Sequence, residues 1–461
     1  MTALPAKFVE RLIGDFGETE GRALCDALDN TLPPTAVRLN PFKSGAVFAG
    51  EPVAWSRNGL FLEERPSFTA DTAFHAGCYY VQEAGSQFVG HILESTGFGR
   101  GRILDMCAAP GGKTTLYSAL VGKEGLVVAN EPVRNRASIL ADNVRKWGLG
   151  NTAVTCNFPS AFEGCRGFFD VVAVDAPCSG EGMFRKDERA REEWSENGVG
   201  ICAARQSEIL GEAWKALKSG GVLIYSTCTF NRIENESVLS DFSAAYEGEI
   251  VEAEDIESPE EWGIEVGRTG VFQTFRFMPH RTRTEGFFVA VARKSGDAEE
   301  QTDTFRPKSK RPIMTEVGNA VRNELRKWFR DPDGMRFAMI GDDIFAYRRE
   351  HFEEVRMLAE RLNVICSGVE TGRIFGGKLK PEHALAMFCE LNRDALPVAE
   401  LPREEALKYL RKDLFDVSPL AEGMNLVTCG GCALGFAKRV GNRCNNLYPN
   451  SLRIRNDQLA I

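Results

Sequence analysis

"RILDMCAAPGGKTTLYSALVG", residues 102–122, runs from an apolar stretch through an aspartate and a glycine-rich turn into a helix-like segment. A strand that ends at Asp105 and gives way to Gly111 and Gly112 at the mouth of a helix lets the backbone approach a bulky ligand closely, as nucleotide-type folds do. The GxxxxGK[ST] spacing of a phosphate-cradling loop is absent, which turns the reading away from nucleoside polyphosphates.

The alternation continues on the downstream side. "LVVAN" (126–130) precedes the helical "RNRASILADNVRKWG", and "FFDVVAVD" (168–175) precedes the loop "APCSGEGMF". "GVLIYSTC" (221–228) follows the amphipathic "GICAARQSEILGEAWKALKSGG", and "GFFVAVARK" (286–294) reads as a last strand. Strands and helices alternating at this spacing predict an α/β, Rossmann-like fold around a mostly parallel, doubly wound sheet. The second strand ends in "NEP". That puts Glu131 roughly 20 residues past the turn, where an acid typically binds a ribose diol. Glycine turn and acid together suit a ligand with an adenosine and no pyrophosphate, namely S-adenosylmethionine.

Two cysteines, Cys178 and Cys228, fall at the C-terminal ends of predicted strands, the edge at which open α/β sheets bind ligands. Each alone could be a small buried hydrophobe. Two of them on one sheet edge, beside the glycine turn, point to chemistry. Neither belongs to a CxxC pair or has a histidine nearby in sequence, so zinc is not the reading there. The one CxxC, Cys429 and Cys432, lacks a second pair, and Cys444 could add only a third ligand. No metal is expected.

The chain has 461 residues, 43% hydrophobic and 26% charged, with a net charge of −9. That length suits two or three domains, and no apolar run reaches the roughly 20 residues of a membrane span. The N-terminus lacks a basic region followed by an apolar core, which argues for the cytoplasm. Thirteen cysteines without a small-domain framework read as mostly reduced thiols. The acidic balance does not suggest a nucleic-acid binder, but grip on phosphate depends on local patches. "RPKSKRP" (306–312) is one; "FAKRVGNRCNNLYPNSLRIR" (436–455) holds five Lys/Arg and no acid. Four segments are expected. Residues 1–75 mix an amphipathic helix (Phe8, Leu12, Ile13, Phe16) with turn-rich sequence, 76–295 form the α/β domain, 296–315 a polar linker, and 316–461 a further α+β region.

"DMCAAPGGKTT", "VDAPCSGEG" and "YSTCTF…ENE" together resemble the Nol/Nop/Sun family of RNA cytosine-C5 methyltransferases, in family order and at family-like spacings. "YYVQEAGSQ" (79–87) and "MPHRTRTEGFFVAV" (278–291) extend the likeness across the α/β domain. "VRLNPFK" (37–43) resembles the family's N-terminal RNA-binding segment, and residues 435–455 resemble the PUA-like end of its bacterial RsmF/YebU branch, which modifies 16S rRNA of the small subunit. The resemblance implies that Cys228 is the nucleophile and that Cys178 assists release of the methylated product. It implies cofactor contacts from Cys107, Ala108, Ala109, Pro110, Gly111, Gly112 and Lys113, and from Glu131 and Asp175. The family often carries an aspartate after the third strand, near the adenine; here that place is Asn157, whose amide oxygen can still accept a hydrogen bond.

The chemistry gives two thiols a purpose. C5 of cytosine is too poor a nucleophile to take a methyl group from a sulfonium directly. A thiolate adding at C6 makes C5 reactive and must afterwards be expelled. An acid at the N3/N4 edge, where Asp175 stands, stabilises the charge that addition creates. Lys438, Arg439, Arg443, Arg453 and Arg455, beside Tyr448, are the expected RNA contacts, and the partner is small-subunit rRNA met by a monomer. Two rivals stand beside this. One is a DNA cytosine-C5 methyltransferase, in which Cys178 would attack. The other is a non-catalytic RNA-binding or ribosome-assembly factor, against which both cysteines, Asp175 and the intact turn speak.

Overall fold

The strand Arg102–Asp105 lies at the middle of a ten-stranded sheet, between Leu126–Asn130 on one side and Phe169–Asp175 on the other. This computed structural model of the chain describes residues 2–46, 48–296 and 313–455. Most of the expected linker at 296–315, with the basic "RPKSKRP", lies outside the described residues. Thr152–Thr155 and Leu217–Thr227 extend the parallel run outward on either side. These strands are buried on both faces, which is why their sequences are nearly unbroken apolar runs. Side chains alternate across the sheet. Ile103, Val127, Val171 and Val222 pack with Phe88, Tyr117 and Phe275 on one face. Leu104, Val128, Val172 and Leu223 pack with Leu210 and Trp214 on the other. Each such buried aliphatic side chain contributes about 1.5–3 kcal/mol. The helices Gly112–Val121, Arg134–Trp147 and Glu196–Ala216 supply the crossovers that make parallel pairing possible.

Both edges of this sheet are antiparallel. Phe287–Lys294 pairs with Leu217–Thr227, and Phe272–Phe277 and Glu265–Thr269 follow outward. At the opposite edge Val364–Ser367 pairs with Thr152–Thr155. Phe352, Val355 and Leu358 of the helix Phe352–Arg361 join the same apolar cluster as Leu104 and Trp214. The division expected between 295 and 316 therefore separates chain segments without separating the sheet. Composition marks a polar stretch, but it cannot show a later strand returning to an earlier edge.

Upstream, the helices Ala6–Phe16 and Glu18–Asn30 form a hairpin whose Phe8, Leu12, Leu24 and Leu28 pack on Phe184 and Phe230, behind the two cysteine loops. A four-stranded sheet follows: Gly50–Pro52, Gly59–Leu62, Thr35–Leu39 and Tyr79–Val81 in spatial order. Its strands are short and broken by Pro, Asn and Gly, so the sequence shows turns where the structure has a sheet. The last strand lies beyond residue 75, and the N-terminal unit runs on into the α/β domain.

Downstream, a five-stranded sheet from Thr315–Glu316 to Lys378–Pro381 precedes a four-stranded one over Val398–Glu400, Gly423–Cys429, Cys432–Val440 and Arg443–Asn446. The CxxC motif is the tip of a hairpin. Cys429 and Cys432 face each other across Gly430 and Gly431, whose φ of 57° and 75° need glycine's freedom. Among the described residues no cluster of three or more His, Cys, Asp or Glu is arranged to hold a metal ion, and no helix is long and apolar enough to cross a membrane.

Candidate active site

The sheet's connections reverse direction between Arg102–Asp105 and Phe169–Asp175, and ligands bind at such a switch point beyond the strands' carboxyl ends. A cleft opens there. Cys107, Ala108, Ala109, Pro110, Gly112, Lys113 and Asp175 line it on the sheet side, and Tyr80, Val81, Gln82, Glu83 and Ser86 line it from the upstream segment. Gly111 adopts the left-handed region at φ 110°, and a Cβ there would stand 3.0 Å from Leu140. Glycine is required for the turn to reach the helix that starts at Gly112.

Asp105 is fully buried at the end of its strand. Its Oδ2 accepts from the Thr114 hydroxyl at 2.6 Å, and its buried Oδ1 has no hydrogen-bond partner. Burial pushes this carboxyl up to about 7. Glu131, also buried, caps the next strand. Its Oε1 accepts from the Val133 amide at 3.0 Å, and its Oε2 lies 3.3 Å from Arg136, which also donates to the Ala109 carbonyl at 3.1 Å. Glu131 is thereby tied to the turn. Asn157 is engaged elsewhere: its Oδ1 accepts from the Asn363 amide at 3.0 Å and its Nδ2 donates to the Asn363 carbonyl at 3.4 Å. The residue expected near an adenine instead holds the returning strand.

Lys113 Nζ lies 2.9 Å from Asp175 Oδ2, and the Ser226 hydroxyl donates to Asp175 Oδ1 at 2.8 Å. Burial opposes the charge on Lys113, but the Asp175 carboxylate outweighs it and holds the ammonium above its usual pKa. Beyond this pair Cys178 Sγ stands 3.3 Å from Cys228 Sγ, fifty residues apart in sequence. The hydrogen bond to Cys228, burial and the Glu234 carboxylate all push the Cys178 thiol well above the ordinary value. Cys178 is thereby held as a thiol. Cys107, raised by burial and then by Asp105, is also held as a thiol.

Several residues of the candidate site escaped the sequence reading. Arg38, on the upstream sheet, donates to the Gly112 carbonyl, and Tyr80, Gln82, Glu83 and Ser86 form a wall of the cleft. The carboxylates Glu181 and Glu234 are buried behind the cysteines. Charged residues set among apolar and amide side chains were the available signal, in "VRLN", "YYVQEAGSQ" and "ENE".

The basic tail is only partly open. Lys438, Arg443 and Arg453 are exposed, as is Arg455. Arg439 spends its guanidinium on the carbonyls of Val417, Leu420 and Gly441. Tyr448 is buried against the rings of His383 and Tyr409, so it offers no face for a base to stack on.

The donor set fits S-adenosylmethionine. The unpartnered Asp105 oxygen is an acceptor for an ammonium, Glu131 for a ribose diol, and the glycine turn lets a nucleoside approach. Sheet, turn and acids define a Rossmann-like, S-adenosylmethionine-dependent methyltransferase. A family model described as 16S rRNA methyltransferase RsmB/F matches residues 98–293. The models for the N-terminal domain of 16S rRNA methyltransferase RsmF and for the methyltransferase RsmF PUA domain match 4–84 and 397–454. Ribosomal RNA small subunit methyltransferase F of Salmonella agona is 32% identical over 87% of this chain and 84% of its own. The protein of that name from Shewanella loihica is 30% identical over 92% and 88%. The crystal structure of NSun6 from Pyrococcus horikoshii with SFG aligns with a TM-score of 0.53 over 64% of this chain and 99% of that one, at 21% identity, and shares the fold. The chain belongs to the RsmB/F family of 16S rRNA methyltransferases, with the N-terminal and PUA domains of the RsmF type.

Proposed function

We propose that this protein methylates C5 of a cytosine in 16S rRNA, with Cys228 as the attacking thiolate and Cys178 as the thiol that helps release the product. One observation carries the reading: two sulfurs 3.3 Å apart, next to a Lys113–Asp175 pair that lines the cofactor cleft. The names of the relatives support the choice of RNA.

The target base must be unpaired or flipped out for a thiolate to reach its face. Cys228 Sγ bonds to C6, and the π electrons of the C5–C6 double bond shift toward C5 and the N3/N4 edge. Asp175 hydrogen-bonds that edge, and the Lys113 ammonium it holds offsets the negative charge the ring acquires. S-adenosylmethionine, when bound, would supply the electrophilic methyl group for C5 and leave as the neutral thioether S-adenosylhomocysteine. The C5 proton then passes to a solvent water, the electrons of the C5–H bond reform the C5–C6 double bond, and the C6–S bond breaks with its electron pair returning to Cys228. Cys178, keeping its proton, hydrogen-bonds the departing sulfur and makes it a better leaving group. Both thiols and the cleft belong to one chain, so a monomer suffices, acting where ribosomal subunits are built in the cytoplasm. The test is incubation with S-adenosylmethionine and either 16S rRNA or small subunits, followed by bisulfite sequencing. Appearance of a protected cytosine is expected; transfer of methyl groups to another base or position overturns the reading.

A further inference from the structure

Behind each cysteine stands a carboxylate that comes from the other cysteine's loop. Glu181, three residues past Cys178, is buried and accepts from the backbone amides of Phe230 and Asn231, just after Cys228, at 2.8 and 3.0 Å. Glu234, six residues past Cys228, is equally buried and accepts from the Ser179 amide at 2.9 Å and from the Ser179 hydroxyl. The Asn231 side-chain amide bridges the two, donating to Glu181 Oε1 at 2.9 Å and to Glu234 Oε1 at 2.8 Å. Gln206 completes the Glu234 side, donating to its Oε2 at 2.8 Å and to the Pro177 carbonyl at 3.0 Å. Trp194 completes the other, donating to Glu181 Oε1 at 3.1 Å.

Burying two carboxylates this close costs several kcal/mol per ion unless their oxygens are fully hydrogen-bonded. Here each carboxylate takes at least three bonds, two of them from the loop that carries the opposite thiol or its immediate neighbours. Packing alone does not call for such an exchange. Apolar side chains could fill the same volume, but they would not make directional hydrogen bonds to the loop amides.

We propose that Glu181 and Glu234 are positioning residues that exchange carboxylates between the two loops, Glu181 setting the attacking Cys228 and Glu234 setting the releasing Cys178. The inference rests on the proposed roles of the two cysteines. Each carboxylate lies behind one thiol, so its loss should reproduce the defect of that thiol and leave the other step intact. Glu234 also sets a negative charge near Cys178, which helps that thiol keep its proton.

The experiment uses the full chain, 16S rRNA and S-adenosylmethionine, and reads the protein–RNA species that survives denaturing electrophoresis, total methyl transfer, and cofactor affinity by calorimetry. Glu234→Gln preserves shape but sets amide against amide at Gln206. It should accumulate the covalent species at least tenfold above wild type while cofactor affinity stays within twofold. Glu181→Gln should lower covalent addition at least tenfold, again with cofactor affinity unchanged. Ser179→Ala removes only a hydroxyl from the Glu234 side and should shift the balance in the same direction as Glu234→Gln, more weakly. It decides the matter if the glutamine variants do not fold. The inference is overturned if the folded variants release product like wild type, or if they lose addition, release and cofactor affinity together, as a general loosening would cause. Cys178→Ala and Cys228→Ala run alongside. If they fail to separate release from addition, it is the assignment of the thiols that falls; if they separate the two steps and the glutamate and serine variants do not follow them, the positioning claim falls.

Discussion

Arg38 reaches from the N-terminal sheet to donate to the Gly112 carbonyl at 3.1 Å, joining the unit that precedes the α/β domain to the glycine turn of the candidate cofactor cleft. The same guanidinium donates to Gln82 Oε1 at 2.8 Å and to the Thr115 hydroxyl at 2.6 Å, and it stacks 4.6 Å over the ring of Trp147. Arg38→Met fills much of the volume but leaves buried acceptors without donors, each costing about 1–3 kcal/mol. Chemical denaturation should show a loss of at least about 2 kcal/mol. Cofactor affinity should fall with it, because the Gly112 carbonyl and Gln82 both border the cleft. Wild-type cofactor affinity in a folded variant would cut this link.

Asp105 predicts a pH dependence. Its carboxyl is ordinary at 3.8 when unfolded and about 7 when folded, because burial disfavours the charge. A raised carboxyl contributes stability in full below about 3.8 and loses it as pH rises through about 7, at up to about 1.4 kcal/mol per pH unit. Asp105→Asn keeps an acceptor for Thr114 and abolishes the titration. Denaturation of the cofactor-free proteins should therefore show the variant gaining on wild type between pH 4 and pH 7.5, on the order of a few kcal/mol. Parallel curves would place the Asp105 carboxyl in solvent.

Glu131→Ala removes the acid proposed for the ribose and frees Arg136 from the turn. Charge-assisted hydrogen bonds contribute about 1.5–3 kcal/mol each. Calorimetry should show cofactor binding weakened by about tenfold or more. Unchanged affinity would remove Glu131 from the site.

The PUA domain is better probed by charge than by deletion. Leu426, Val427, Leu434 and Phe436 lie in the core, and cutting the tail would expose the strands beneath it. Lys438, Arg443 and Arg453 are exposed, and changing all three to Gln should weaken RNA binding and flatten its salt dependence. Three lost phosphate contacts correspond to a slope shallower by about 2 on a single strand. Adding Arg439→Gln should destabilise the domain instead, since its partners are backbone carbonyls. An unchanged slope in the triple variant would move the RNA contact elsewhere.

The sequence made the central sheet legible because its strands are apolar on both faces and end at chemistry-bearing turns. Asp105, Glu131, Asp175 and Cys228 all stand at or next to the strand ends where the pattern put them. The N-terminal sheet was not legible: strands of three to five residues leave no periodicity to read. Nor was the return of Val364–Ser367 to the catalytic sheet, since edge pairing leaves no local signature. That return explains Asn157, whose amide serves the incoming strand. Tyr448 misled for a related reason. An aromatic among cations reads as a stacking platform, but its ring is the lid of a small core with Tyr409. The Glu181 and Glu234 exchange was invisible because acids in a polar loop look solvated until the fold brings Trp194, Gln206 and Asn231 onto them.

The division of labour between the two sulfurs is tested most directly by denaturing electrophoresis of each cysteine variant after reaction with a loop-containing fragment of 16S rRNA and S-adenosylmethionine. Cys228→Ala should yield neither methylated RNA nor a covalent species, because no thiolate adds at C6. Cys178→Ala should methylate and stay attached, giving a protein–RNA band that survives denaturation. A stable band with Cys228→Ala and none with Cys178→Ala would reverse the roles and make Cys178 the nucleophile.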